Sequence, residues 1–101
     1  MAAIRLVVNF RVKPGRYADL FEAARPFKKT VERLGGNFVV GRVTTGNETG
    51  NIVAVHTYPN WTALDKVNSD PQAQKLLEAT YNNPNPPYES FTVTVVEEVA
   101  L

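Results

Sequence analysis

His56 is the only histidine in the chain and cysteine is absent, so His56 is the one side chain suited to moving protons near neutral pH. It lies in Ile52-Val53-Ala54-Val55-His56-Thr57-Tyr58, a segment whose alternation puts Ile52, Ala54, His56 and Tyr58 on one face. A neutral imidazole there can act as a general base or hold a ligand by a hydrogen bond. The alternative is a half-buried histidine bonded to a backbone carbonyl or to Tyr58. Aromatic rings gather on the neighbouring segments: Phe10, Tyr17, Phe21, Trp61 and Tyr81. They would line a cleft for a flat apolar molecule, or simply fill a core. Trp61, at the first turn of a helix, is the ring best placed to cap such a pocket.

Other chemistries fall away by composition. Without cysteine there are no disulfides, thiolate zinc sites, iron–sulfur clusters or cysteine nucleophiles, and one histidine excludes metal sites that need two imidazoles. No metal and no cofactor is expected. Glu97 and Glu98 adjoin on a strand, so they point to opposite faces and make no catalytic pair. Asp65 and Asp70 suit a solvated helix face and a cap. A hydrolytic triad lacks partners, and no glycine-rich loop opens a helix to cradle phosphate. Asn9 and Arg11 would hold either a polar ligand across a dimer or interface hydrogen bonds. Eleven basic against ten acidic residues leave a net charge of +1, which gives no field for nucleic acid or an anionic membrane.

These residues need a scaffold, and 101 residues supply one domain, 1–101, with 44% apolar and 21% charged content typical of a globular chain. Ile4 to Val12 alternates as a strand, and Lys13-Pro14-Gly15 breaks it. A helical period runs from Tyr17 to Leu34, with a kink expected near Pro26 inside it and Gly35-Gly36 as the stop. Asn37 to Thr45 and Asn51 to Tyr58 are two strands of a hairpin around Gly46 and Gly50. Asn60 caps a helix carrying Trp61, Leu64 and Val67; Asp70-Pro71 restarts it, and Ala73, Leu76, Leu77 and Tyr81 continue one face. Phe91 to Val99 is the last strand. The order β-α-β-β-α-β, with the second helix broken around Ser69, predicts an α+β, ferredoxin-like fold: a four-stranded antiparallel sheet with its helices on one face.

The uncovered face would carry Val7, Val39, Val43, Val53, Val55 and Val96. That is too apolar for a monomer, and the same face of a second copy covers it most simply, which predicts a homodimer. An RNA-binding sheet of this topology would instead show aromatic rings there. No basic leader or long apolar run is present, so a cytoplasmic protein with no membrane segment is expected.

The element order, the valine face and the stretch from His56-Thr57-Tyr58-Pro59-Asn60-Trp61 to Ser69-Asp70-Pro71 together resemble the dimeric α+β barrel superfamily. Its members include antibiotic-biosynthesis monooxygenases, NIPSNAP-type proteins, stress-responsive barrels and olivetolic acid cyclase. The resemblance implies a pocket between sheet and helices, lined by Ile4, Leu6, Val8, Phe10, Phe21, Ala54, His56, Trp61, Leu64 and Val67, and an activity like that of cofactor-independent monooxygenases, with His56 as base and Tyr58 as donor. Where such relatives show Glu-x-Trp at the strand end and His-x-x-Ser-Pro in the helix, this chain has His56-x-Tyr58 and Val67-x-x-Asp70-Pro71. Val8 and Leu76 stand at the positions of the haem-degrading relatives' asparagine and histidine, so haem is not expected. The cyclase's tyrosine and histidine fall on Val67 and Ala73. A non-catalytic ligand-binding or interaction protein, or a cyclase or isomerase using Tyr81 opposite His56, are the other readings.

Overall fold

Alternating β-branched residues build four strands, which order as β2-β3-β1-β4 in one antiparallel sheet: β1 (Ile4–Val12), β2 (Asn37–Arg42), β3 (Ile52–Tyr58) and β4 (Tyr88–Glu97). The computed structural model describes residues 3–101. Three helices, α1 (Tyr17–Arg33), α2 (Trp61–Ser69) and α3 (Pro71–Tyr81), complete the order β-α-β-β-α-α-β. The α+β, ferredoxin-like architecture expected from the sequence is the one observed.

Local signals explain most element ends. Leu34-Gly35-Gly36 closes α1: Gly35 takes φ +91°, its N–H donates to the Glu32 carbonyl, and the Gly36 N–H donates to the Val31 carbonyl. That pair of bonds is the glycine-dependent Schellman stop, and it satisfies carbonyls the last turn would leave open. Pro26 lies inside α1, which remains one element through it. The Asn60 side chain accepts the Ala63 N–H and caps α2. Asp70 ends α2 and caps α3 by accepting the Ala73 N–H, with Pro71 in the first turn where no donor is needed. The Ala73 N–H, followed by the Arg33 side chain, holds the Asp70 carboxyl below the usual carboxylate range.

Two strands differ from the sequence expectation at their ends. β2 stops at Arg42; Val43 still donates to the Asn51 carbonyl and accepts the Gly50 N–H, and the loop begins beyond it. β4 starts at Tyr88, three residues sooner than expected, where a register shift beside Arg11 and Val12 lets Tyr88 pair with Val12. The core lies between the sheet and the helices. Ile4, Val8, Phe10, Ile52, Ala54 and Tyr58 from the sheet meet Leu20, Phe27, Val31, Leu64, Val67 and Ala73 from the helices. On the other face Val39 and Val96 are exposed and Val7, Val53 and Val55 are partly so. No helix among the described residues is long and apolar enough to cross a membrane.

Candidate functional site

His56 sits on β3 with its side chain on the helix side of the sheet and 7% exposed. Its strand neighbours in register are Leu6 on β1 and Phe38 on β2. The Phe38 ring meets the imidazole edge-on at 4.7 Å between centroids, and Phe27 of α1 does so at 6.2 Å. Nδ1 lies 3.2 Å from the Tyr58 hydroxyl, two residues along the same face. Tyr58 is 1% exposed. Its ring packs into the space that a side chain at Gly36 would occupy, because an added Cβ there would come within 2.7 Å of the ring. Burial penalises an imidazolium, so His56 is pushed down to about 4, and it penalises a phenolate, so Tyr58 is pushed up to about 12. Both groups are neutral across the physiological range.

In front of the imidazole is a cleft of about 60 Å³, partly open to solvent. Its floor is Leu6, Val8 and Phe10 of β1, Phe38 and Val40 of β2, and Ile52 and Ala54 of β3. Its roof is Leu20, Phe21, Ala24 and Phe27 of α1 with Leu77, Thr80 and Tyr81 of α3. No Asp, Glu, Lys or Arg side chain lines it. Roughly 150 Å³ of apolar cavity takes up benzene. A ring therefore enters only as the partly exposed Phe21, Val40 and Tyr81 give way. Chemically the cleft can desolvate an apolar molecule and offer it one imidazole.

Of the residues singled out in the sequence, the structure brings His56, Phe10, Phe21, Ala54 and Tyr81 together around this cleft. Tyr58 stands behind His56 and does not line the space. Trp61 is 49% exposed, and its Nε1–H donates to Glu97 of β4 at 2.9 Å, so it forms no wall here. Leu64 and Val67 are buried in the core beside α2. The reason is the break at Asp70-Pro71, which divides the second helix and leaves α3, rather than α2, above the cleft. Tyr17 is also elsewhere: its hydroxyl donates to the Gly50 carbonyl, and the Arg42 guanidinium lies over its ring at 5.4 Å.

Sequence reasoning missed Leu20, Phe27, Phe38, Leu77 and Thr80 as lining. The helical stripe of α1 already held the first two. Phe38 becomes visible as a neighbour only when the β2–β3 register is known. At the far end of the open face, Asn9 donates to Glu48 at 2.9 Å and accepts from Asn51 at 2.8 Å, while Arg11 pairs with Glu89 at 3.1 Å. Glu97 and Glu98 do diverge, the first to Trp61 and the second towards Arg5 at 4.0 Å. Among the described residues no group of three His, Asp or Glu side chains is placed to hold a metal.

No family model matches the chain, and no curated protein does. Solved structures do. A hydroxynitrile lyase from Passiflora edulis superposes with a TM-score of 0.76 at 9% identity, over 98% of this chain and 95% of that one. A dimeric ferredoxin-like protein of unknown function from Jannaschia sp. CCS1 gives 0.74 at 17% identity, over 96% and 99%. An antibiotic biosynthesis monooxygenase gives 0.66 at 14%, over 97% and 98%. At such identities the likeness concerns the backbone alone, and it agrees with the sheet order and helix placement described above: the chain has the ferredoxin-like α+β fold of these proteins.

Proposed function

We propose that the protein is a homodimer whose subunits each bind an apolar or aromatic small molecule between the sheet and helices α1 and α3. His56 is the polar contact, oriented by Tyr58, and Phe10, Phe21, Ala54 and Tyr81 are walls. The observation that carries this reading is a single neutral imidazole set in a cleft otherwise dominated by apolar side chains. Such a site gains from burying a ring and fixes its orientation with one bond. Titration with 2-naphthol, followed by amide NMR, tests it. Saturable shifts at Ala54, Phe21 and Tyr81 are expected; shifts confined to Trp61, Leu64 and Val67 would move the site to α2.

The dimer is supported by the exposed valines and by the dimeric relative in fold. Covering the open face would bury on the order of 1,500 Å², a standard interface. Sedimentation at micromolar concentration is expected to give a dimer that Val53→Asp splits, because the new carboxylate would be desolvated without a partner. A wild type that sediments as one stable monomer removes this part of the proposal.

A second reading, a cofactor-independent monooxygenase, is favoured by the neutral state of His56 and by the monooxygenase among the fold relatives. In it His56 deprotonates an activated phenol or anthrone, and the substrate anion itself reduces oxygen. A base held near 4 is weak for this task, since general bases work best near the operating pH. Oxygen uptake with an anthrone substrate decides it: a catalytic His56 would lose about 10²- to 10⁴-fold on change to alanine, whereas a binder has no uptake to lose.

A further inference from the structure

Tyr58 carries one hydroxyl hydrogen, is sealed at 1% exposure, and has one hydrogen-bond partner among the described residues, Nδ1 of His56 at 3.2 Å. Two arrangements of the protons are possible. If Nδ1 carried the ring proton, it would donate to the phenol oxygen and the hydroxyl hydrogen would be buried with no acceptor, which costs the desolvation of an unmade bond. If Nδ1 is bare, the hydroxyl donates to it and the pair is satisfied. Burial keeps the ring singly protonated, so the remaining proton belongs on Nε2. Nε2 has no hydrogen-bond partner among the described residues, yet no buried polar atom there is both sealed and unpartnered, so Nε2 keeps contact with open space. His56 lines the cleft.

We infer that His56 presents a fixed Nε2–H donor to the cleft, and that the ligand class the cleft selects is an apolar molecule bearing a carbonyl oxygen, such as an aryl ketone. The edge-on rings of Phe38 and Phe27 hold the imidazole plane. Thr80 and Tyr81 are the other polar side chains of the lining, and their hydroxyls can turn to donate or accept. Only the imidazole has its polarity set by a partner behind it. The inference rests on the binding reading above and names its ligand; it counts against the base reading, because a base needs a lone pair where this tautomer has a proton.

Two experiments test it. Nitrogen NMR of the single labelled histidine reports the tautomer directly. Protonated Nε2 and bare Nδ1 are expected in the wild type, with that bias lost in Tyr58→Phe; a wild type protonated at Nδ1 overturns the inference. The second compares acetophenone with α-methylstyrene, which has the same shape with a methylene in place of the carbonyl oxygen. The acetophenone preference should fall about five- to tenfold in His56→Phe, the size of one net hydrogen bond; an unchanged preference overturns the ligand class. If neither probe binds while 2-naphthol does, the ligand class falls and the binding reading stands; if none of the three binds, the binding reading itself falls, and the nitrogen spectrum still decides the donor.

Discussion

β3 and β4 are both alternating, valine-rich strands, and their fates differ. Along β3 the residues Ile52, Ala54, His56 and Tyr58 are all buried beneath the helices. Along β4 only Tyr88 is buried, although Phe91, Val93 and Val95 pair with Phe10, Val8 and Leu6 and so share the helix side. Val93 and Val95 remain 50% and 46% exposed. β3 lies inside the sheet and β4 at its edge, where the helices reach only the two ends. The Tyr81 ring packs tilted against Phe91 at 4.7 Å between centroids at one end, and Trp61 bonds Glu97 at the other. Alternation therefore reports that a strand has two kinds of face. It does not report whether anything in the same chain covers them.

The contrast is most severely tested on β3. Tyr58→Ala removes a sealed ring and leaves Nδ1 of His56 without its partner, so a loss of about 3–5 kcal/mol in urea unfolding is expected. Acid tests the same strand. The unfolded chain protonates His56 near 6.5, while the native state resists until about 4. Stability from His56 is therefore fully present above pH 6.5 and lost as pH falls to 4, by about 3 kcal/mol in all. His56→Phe should flatten that limb of the stability–pH curve; an unchanged limb would place its origin elsewhere. Gly36→Ala is expected to cost about 1–3 kcal/mol, since its Cβ must displace the Tyr58 ring and Val31. Val95→Ser on β4 should change the unfolding free energy of dilute protein by no more than about 0.5 kcal/mol. Val95 lies on the helix side, away from the open face that a second copy would cover, so its cost should stay constant in a series of unfolding curves at rising protein concentration, whereas the cost of Val96→Ser on the open face should grow.

Much of the architecture was legible because it depends on near neighbours in the chain. The extent of β1, the glycine stop after α1, and the Asn60 and Asp70 caps all follow from spacing within a few residues. The candidate site was legible only on one strand. Alternation placed Ala54, His56 and Tyr58 on the helix side, but it could not say that Tyr58 stands behind the imidazole rather than beside the cleft. Trp61 illustrates the rest. Its position at a first helical turn suited a pocket wall, yet its direction depends on where β4 ends and on Glu97 being there to accept its N–H. Such facts live in the packing of distant segments, not in local pattern.

The position of β1 has a kinetic consequence. It lies between β3 and β4, and its first residue, Ile4, pairs with both Tyr58 and Glu97, across 58 − 4 = 54 and 97 − 4 = 93 residues. Among the four strands it is made first and paired last. Until the final strand leaves the ribosome, a largely apolar ribbon has a free edge, which is the condition under which chains mispair with one another. Closing loops of that length also slows folding relative to a helical protein of equal size. The floor of the cleft is thus the part of the molecule most at risk during synthesis, and the one whose correct formation waits for nearly the whole chain.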